Sequence, residues 1–238
     1  YPCKRSRYTN VFIFSSYIKP CDFKDEKLVD CVRKQIQDSL PKFTKGIPEM
    51  EVPSTDPVDI DDITIDGSGL KLQFTKAKMH GLSNAKLTDL KVNLGKSGEA
   101  FTLGFKSDLS LTAKYVADGR VLILPIQGNG DAVVAAKNVT VTIDGRMDHV
   151  QGKGGEHFKL ATPTYKYTIE KTTFDLQNLF NGNKQLADTT IRFANENWEQ
   201  LMDELSPPAI KKIVKAVIKA INKFFEHVTI AQIVKSYS

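Results

Sequence analysis

The sequence predicts an α+β protein in which a strongly curved antiparallel β-sheet wraps around a long C-terminal α-helix. Apolar and polar residues alternate from residue 58 to about residue 176, as in strands that bury one face and expose the other. A helical period returns after residue 177 and ends in a long amphipathic stretch. Because strands and helices occupy separate parts of the chain, an α+β arrangement is favoured over an α/β arrangement.

The composition is typical of a globular protein that can bury a sizeable core. The chain has 238 residues, of which 41% are hydrophobic and 26% are charged, and 33 Lys and Arg against 28 Asp and Glu give a net charge of +5. The basic residues are spread along the chain, whereas nucleic-acid binding needs them clustered on one face. No apolar run approaches the roughly 18 residues of a membrane span. We therefore expect neither a nucleic-acid partner nor stable membrane insertion.

Residues 1–16 are an extension of uncertain status, and residues 17–238 are expected to form a single domain. Lys4, Arg5 and Arg7 precede the apolar residues 11–14, as at the end of a signal peptide, but this apolar stretch is short for that role. No Gly/Ser-rich linker divides the remainder of the chain. We expect a monomer.

Two of the three cysteines, Cys21 and Cys31, flank the start of the first predicted helix. A disulfide between them would close a short loop and stabilise the fold by roughly 3 kcal/mol in the chain-entropy model. The alternative is a pair of reduced, buried thiols. Cys3 is left over, either free or part of the extension. A zinc site is not favoured, since the sequence has no CxxC motif and no histidine near the pair.

One further feature concerns the compartment. Asn138-Val139-Thr140 is an N-glycosylation sequon, which makes Asn138 a candidate glycosylation site and is consistent with secretion.

Residues 24–40 are predicted to form an amphipathic helix that precedes the strands. Asp22 is the expected N-cap, and Pro41 marks the expected end. Four prolines between residues 41 and 57 predict an extended, irregular connection to the sheet. The apolar face of this helix repeats every fourth residue and comprises Leu28, Val32, Ile36 and Leu40.

Six to eight antiparallel strands are expected, joined as a meander by short turns. Leu70, Leu72 and Phe74 alternate with polar residues, and the same period recurs as far as Tyr165 and Tyr167. Turns are expected at the glycine-containing sites between the alternating runs. These sites are Asp66-Gly67, Gly95–Gly98, Asp118-Gly119, Gly128–Gly130, Asp144-Gly145 and Gly152–Gly155.

Two helices are predicted after the strands. The first covers residues 183–205, and the Ser206-Pro207-Pro208 segment begins the second as its N-cap and first turn. Residues 207–226 would form a rod of about 30 Å, at about 1.5 Å per residue. The apolar stripe of this helix is the large partner available to the sheet, which is therefore expected to curve around it.

The sequence contains neither a GxSxG nucleophile elbow nor an HExxH zinc motif. His149 and His157 could approach each other across the Gly152–Gly155 hairpin, but exposed histidines beside a turn are favoured over a two-histidine metal site. Catalytic residues converge in space rather than in sequence, so missing motifs lower the odds of an enzyme without excluding one. We expect no enzymatic activity, no cofactor and no metal.

Four segments of the chain together resemble a known family. IKPCDFKDEKLVDCV (residues 18–32) and KGIPEMEVPSTDPVDIDDI (residues 45–63) are similar to an N-terminal disulfide segment and to a proline-rich lead into the first strand. GRVLILPIQGNGD (residues 119–131) and LQNLFNGNKQLADTTIRFANENWEQL (residues 176–201) are similar to two distinctive motifs. The family that carries these segments in this order is the takeout and juvenile-hormone-binding protein family of insects.

This resemblance implies a secreted, extracellular carrier with a hydrophobic tunnel along the long helix. Its ligand would be a long-chain lipid or a terpenoid similar to juvenile hormone, and the family has no established enzymatic activity. Hormone binders of the family usually have a second disulfide, whereas no cysteine follows Cys31 here. That departure favours the takeout branch and leaves hormone binding open.

Ligand contacts are expected from the concave face of the sheet and from the facing helix stripe. Tyr115 or Tyr167 would orient a polar ligand head. The choice rests on strand parity, and a register error of one residue would turn a whole strand to solvent. The predicted tunnel-lining residues are Leu72, Phe74, Leu90, Val92, Leu103, Phe105, Leu122, Val134, Phe180, Phe193, Trp198, Met202, Val217 and Ile221.

Two other functions stay open, because periodicity does not distinguish a hollow apolar core from a filled one. A filled core would suit a protein-interaction module with an apolar patch on its outside. A lipid-modifying hydrolase would need a serine, a histidine and an acid that converge at the tunnel mouth.

Overall fold

The computed structural model describes residues 18–67, 69–93 and 99–237. The N-terminal extension with Cys3 and the turn expected at Gly95–Gly98 lie outside these residues. The helices are Leu28–Phe43 (α1), Lys184–Glu196 (α2), Trp198–His227 (α3) and Ile230–Ile233 (α4). The strands are Cys21–Asp22 (β1), Val58–Ile60 (β2), Ile63–Gly67 (β3), Leu70–His80 (β4), Lys86–Asn93 (β5), Glu99–Val121 (β6), Leu124–Gly152 (β7), Gly155–Leu160 (β8), Thr164–Thr168 (β9), Lys171–Leu176 (β10) and Val234–Lys235 (β11).

Strands β2 to β10 form one curled antiparallel sheet. It is built on two long strands, since β6 has 23 residues and β7 has 29. Strands β4 and β5 pair with β6, strands β8, β9 and β10 pair with β7, and strands β2 and β3 pair with β4. Register shifts interrupt the pairing of β6 with all three of its partners, and such bulges bend and twist a sheet. The sheet has nine strands within the described residues, so the expected six to eight is wrong, because β6 and β7 each pair with several short strands.

Three of the predicted turns are wrong, because their glycines lie inside the long strands. Asp118-Gly119 lies within β6, whereas Gly128–Gly130 and Asp144-Gly145 lie within β7. At Gly128 the missing side chain permits close packing, since a Cβ atom there would lie 2.9 Å from both the Asn178 carbonyl oxygen and the Tyr115 hydroxyl.

The observed hairpin turns combine expected and unexpected sites. The turn between β6 and β7 lies at Leu122-Ile123, where Leu122 has a φ of 55° and no glycine marks the position. The turn at Gly152–Gly155 is confirmed, because Gly152 pairs with Gly155. Asp66 and Gly67 are instead the last two residues of β3, where they pair with Lys71 and Leu70 of β4, so the predicted turn is displaced from them.

Helix α1 begins and ends later than the sequence predicts. It starts at Leu28 rather than at residue 24, because the Asp22 and Asp25 carboxylates accept hydrogen bonds from the backbone N–H groups of Lys24 (3.0 Å) and Lys27 (2.9 Å) in two turns outside the helix. Asp22 is therefore not its N-cap. Pro41 lies inside the last turn and does not end the helix. The Cys21–Cys31 disulfide is present and joins β1 to α1, as predicted.

Helix α3 has 30 residues and contains the Ser206-Pro207-Pro208 segment, so the predicted break at Ser206 is wrong. The chain breaks instead at Asn197, where the Asn197 side-chain amide donates to the Phe193 carbonyl at the end of α2 (2.9 Å). Proline inside a helix leaves the carbonyl four residues earlier without its donor. Here those carbonyls belong to Asp203 and Glu204, which are exposed to water. The helix is about 45 Å long, at about 1.5 Å per residue.

The core lies between the sheet and α3, as predicted. Leu72 and Tyr115 pack with Leu201 near the start of α3. A second cluster brings Ile213 and Val217 of α3 against strands β2 to β4 and β6. A third cluster packs Phe224 against the segment between α1 and β2, which contains a 3₁₀ turn, Pro48–Met50, and is less irregular than expected.

Candidate ligand-binding site

The face of the sheet that is turned toward α3 can be assigned from one contact and the strand register. The Tyr167 hydroxyl lies 3.0 Å from the Ser206 hydroxyl of α3. Tyr167 pairs with Val141, and Val141 pairs with Phe105. Directly paired residues of antiparallel strands share a face. The cross-strand row that contains these residues therefore faces α3.

A continuous set of apolar side chains on this face and on α3 is only half-buried. The neighbouring row, Leu103 with Ile143 and Tyr165, has the same parity and the same half-buried state. On the helix the half-buried set is Ile210, Ile213, Val214, Val217, Ile218 and Ile221. Side chains in a close-packed interior between two elements are normally fully covered, so this partial exposure is the main feature of the site.

The structure brings several of the predicted lining residues together in this region. Phe105 and Leu103 lie on β6, and Leu90 of β5 is buried beside Leu103 as its direct partner. Val134 of β7 pairs with Leu111 and Phe174 on the same face. Val217 packs in the middle cluster, and Ile221 lies one turn further along α3.

Other predicted residues lie at the end of the sheet near the start of α3. Leu72 is buried in the cluster with Leu201, and Phe74 is half-buried between that cluster and the middle one. Leu122 borders a small cavity of about 50 Å³ beside Leu205. Phe193, Trp198 and Met202 are half-buried on α2 and α3, and half-buried Phe180 packs against the first cluster.

Sequence reasoning left several residues of this face out of the site. Val141, Ile143 and Tyr165 belong to recognisable alternating strands, but only the pairing register places them beside Phe105 and Leu103. The sequence predicts Ser206 only as the N-cap of a helix, but its hydroxyl faces Tyr167 from inside α3.

The two candidate tyrosines have different environments. The Tyr115 side chain is only 1% exposed, and its hydroxyl donates to the Gln177 carbonyl oxygen at 2.7 Å. Burial raises the pKa of this hydroxyl to about 12. The Tyr115 hydroxyl therefore holds the segment after β10. Half-buried Tyr167 and buried Ser206 instead place two hydroxyls between the sheet and α3.

A cleft of about 500 Å³ includes Val92 and its direct partner Phe101 among its walls. Its walls include Lys91, Thr102 and Asp144, which form a cross-strand row that alternates with the inward-facing Leu90 and its partners. The Thr102 hydroxyl donates to the Asp144 carboxylate at 2.6 Å. The position of Val92 in the tunnel lining stays a prediction.

The histidines do not form the arrangement that the hairpin suggested. His149 pairs with Phe158, and His157 pairs with Val150. His157 is only 2% exposed and its Nδ1 atom lies 2.7 Å from the Phe225 carbonyl oxygen, so the expectation that it is exposed is wrong. Within the described ranges, no three His, Cys, Asp or Glu side chains form a group that could hold a metal ion.

The sequon residue Asn138 lies in β7 with a φ of 50°. Its side-chain amide donates to the Glu170 carboxylate at 2.8 Å. Glycosylation of Asn138 stays a prediction.

In the part of the chain that the structure describes, no helix is both long enough and apolar enough to cross a membrane.

A curled antiparallel sheet whose apolar face is covered by one long helix defines the class of the protein, an α+β half-barrel with a helix across its opening. Within that class, the chain belongs to the haemolymph juvenile hormone binding protein family, whose model matches residues 8–235. The family is one of binding proteins, and the sequence resemblance to takeout proteins is confirmed.

Individual relatives support this assignment. The chain is 30% identical to the circadian clock-controlled protein daywake of Drosophila melanogaster, over 90% of this chain and 88% of that protein. It is 24% identical to the juvenile hormone-binding protein of Manduca sexta, over 73% and 72% of the two chains. The crystal structure of takeout 1 from Epiphyas postvittana superposes with a TM-score of 0.83 at 32% identity, over 92% of this chain and all of that one.

Proposed function

We propose that the protein is a secreted carrier that holds a long-chain lipid or a terpenoid in an apolar tunnel between the sheet and α3. The observation that supports this most directly is the half-buried apolar set on the inward face, since well-packed side chains would cover one another there. Unfilled apolar space with a few polar groups is the usual form of a small-molecule site. The hormone-binding relative gives independent support for an apolar ligand.

Affinity would come from the transfer of ligand surface out of water. At about 25 cal/mol per Å², the burial of roughly 300 Å² of ligand surface contributes about 7 kcal/mol before the costs of association. The hydroxyl pair of Tyr167 and Ser206 would accommodate one polar atom along an otherwise apolar ligand.

The proposal also includes secretion of the protein and the absence of a catalytic role. The Cys21–Cys31 disulfide suits an oxidising environment, and the family description refers to haemolymph. We assign no catalytic step. The rings of His149, His157 and His227 hydrogen-bond with carboxylates, a tyrosine or backbone carbonyls, which is not the serine–histidine pair that a hydrolase needs.

The first experiment extracts the purified protein with organic solvent under denaturing conditions and analyses the extract by mass spectrometry against a buffer control. A parallel experiment measures the uptake of a fluorescent lipid probe. A stoichiometric apolar molecule, or saturable uptake of the probe, would support the proposal. A blank extract together with no uptake would contradict it and favour the interaction module with a filled core.

Two single substitutions then test whether the fluorescent lipid probe binds at the inward face of the sheet. Phe105→Glu places a charge on the inward face and should abolish uptake. Val116→Glu is the matched control, because Val116 lies on the outward face of the same strand and is 55% exposed. Equal uptake by the wild type and a folded Phe105→Glu variant would remove Phe105 from the site.

A further inference from the structure

A carboxylate is buried at the end of the inward face. Glu99 is the first residue of β6, pairs with Met147, and has the same parity as Phe101 and Leu103. Its side chain is 0% exposed. Oε1 accepts a hydrogen bond from the Tyr237 hydroxyl, and the Nε2 atom of His149 lies 3.2 Å from the same oxygen.

The second oxygen of this carboxylate has a different environment. Oε2 of Glu99 is buried and has no hydrogen-bond partner among the described residues. Buried polar atoms are nearly always partnered, so an orphaned carboxylate oxygen marks a position that another group completes. That group must supply a hydrogen-bond donor, since an ionised carboxylate only accepts.

The surroundings of Glu99 suit an apolar molecule. Phe158 lies edge-to-face with Phe225 of α3, at 5.9 Å between ring centroids, and with the ring of His149 at 5.6 Å. Phe101 and Leu103 lead from Glu99 along the same face toward the centre of α3. Glu99 therefore places one acceptor at the end of an apolar path.

Tyr237 covers this acceptor in the observed conformation. Its ring packs edge-on against Phe23 at 5.3 Å. The backbone of the segment that carries it is held by the two-residue parallel pairing of β11 with β1 and by a bond from the Phe23 N–H to the Lys235 carbonyl (2.9 Å), and the Ser236 side chain hydrogen-bonds with the Asp22 carboxylate. So few backbone bonds allow this end of the chain to move aside at low cost.

The chemistry of Tyr237 indicates what replaces it. Its side chain is an apolar body that ends in a hydroxyl, which is also the description of a long-chain or terpenoid alcohol. Burial, followed by the neighbouring Glu99 carboxylate, raises the pKa of the Tyr237 hydroxyl, which keeps it in the form that donates.

We infer that Glu99 is the polar anchor of the ligand site and selects a ligand that ends in a hydroxyl, which displaces Tyr237 and donates to the unpartnered Oε2 atom of Glu99. The inference rests on the proposed carrier function and names the class of its ligand. A fatty acid is disfavoured, because its carboxylate would face the charge of Glu99.

Competition with a fluorescent lipid probe tests the selection. Hexadecanol and hexadecanoic acid share one chain, so they differ only at the head. We expect the alcohol to displace the probe at a concentration at least about tenfold lower than the acid, given the strength of a hydrogen bond to a charged group. Glu99→Gln should remove most of this preference. The matched control Glu156→Gln should keep it, because Glu156 contacts His149 but is only half-buried.

A second variant keeps the test decisive if Glu99→Gln does not fold. Tyr237→Phe retains the ring and removes the competing donor, so it should strengthen displacement by hexadecanol and leave displacement by the acid unchanged. Equal displacement by alcohol and acid in the wild type, a preference that survives Glu99→Gln, or no effect of Tyr237→Phe on the alcohol would each overturn the inference. A wild-type protein that takes up no probe overturns the carrier function as well, whereas uptake without preference overturns only the role of Glu99.

Discussion

Asn222 of α3 binds both backbone groups of Leu160 on β8. Its side-chain oxygen accepts from the Leu160 N–H at 2.8 Å, and its side-chain nitrogen donates to the Leu160 carbonyl at 3.0 Å. Asn195 of α2 does the same for Phe174 of β10, at 2.7 Å and 3.3 Å. Two side-chain amides thus take the place of a neighbouring strand, and they fix the two helices to the sheet beyond their apolar contacts.

Replacement of Asn222 by alanine should therefore destabilise the fold. The change leaves a partly buried N–H and carbonyl of Leu160 without their partners, which costs about 1–3 kcal/mol. Urea denaturation followed by circular dichroism measures the loss. Gln200→Ala, at an exposed position of the same helix, is the control and should change stability by less than about 0.5 kcal/mol. Equal effects of the two variants would refute the bridging role of Asn222.

The disulfide should contribute to stability through the start of α1. Cys21 lies in β1, whose partner β11 leads directly to Tyr237, and Cys31 lies in α1. Closure of this short loop is worth roughly 3 kcal/mol in the chain-entropy model. We expect Cys21→Ser/Cys31→Ser to lower the urea midpoint and reduction of the wild type to do the same. A reduced wild type with an unchanged midpoint would contradict this expectation.

Stability should fall in acid partly through Asp56. Burial alone would raise the pKa of Asp56, but hydrogen bonds from Ser83 (2.8 Å) and Gly81 (3.0 Å) outweigh it and lower the pKa below 3.8. A lowered pKa means that the unfolded state binds the proton more readily, so this stabilisation is present above about pH 4 and is lost as the pH falls through the folded-state pKa.

Asp56→Asn tests this pH dependence. The variant should be less stable than the wild type at neutral pH and should lose less stability between about pH 5 and pH 3. The free energy of unfolding, measured at several pH values, reports both effects. Asp66→Asn, at an exposed position of β3, is the control and should lose as much stability between about pH 5 and pH 3 as the wild type does. Parallel curves for wild type and Asp56→Asn would contradict the assignment.

Periodicity predicts which face of each strand is buried, but not which strands lie beside each other. The alternation around Phe105 places its side chain opposite Lys106 from sequence alone, and the structure agrees. Its proximity to Val141 and Tyr167 depends on a register that bulges shift by one residue. Glu99 was not predicted to belong to the site, because a charged residue that follows glycines in the sequence is normally expected to face solvent.

The limits of the helices also could not be predicted from local sequence signals. A serine followed by two prolines is a strong start signal, yet the break lies at Asn197, since Ser206 is covered by Tyr167 and packing continues along the whole of α3. Likewise, nothing local distinguishes the bridging Asn222 from an asparagine on a solvated face. Local signals fix the type of an element, whereas tertiary contacts decide its limits and partners.

Substitution of Gly128 tests why β7 contains glycines at positions where the strand continues without a turn. A Cβ atom at this position would lie 2.9 Å from the Asn178 carbonyl oxygen and 3.0 Å from the Leu179 Cα, both of them backbone atoms with little freedom to move. Gly128→Ala should therefore cost about 1–3 kcal/mol through overpacking. The matched control is Gly67→Ala, because a Cβ atom at Gly67 meets nothing within 4 Å. If Gly128→Ala unfolds at the same urea concentration as Gly67→Ala, the segment after β10 does not pack on β7 as tightly as described. A loss of stability in Gly128→Ala alone would show that the glycine is required for the close approach of that segment to β7. The Tyr115 hydroxyl donates a hydrogen bond to the same segment.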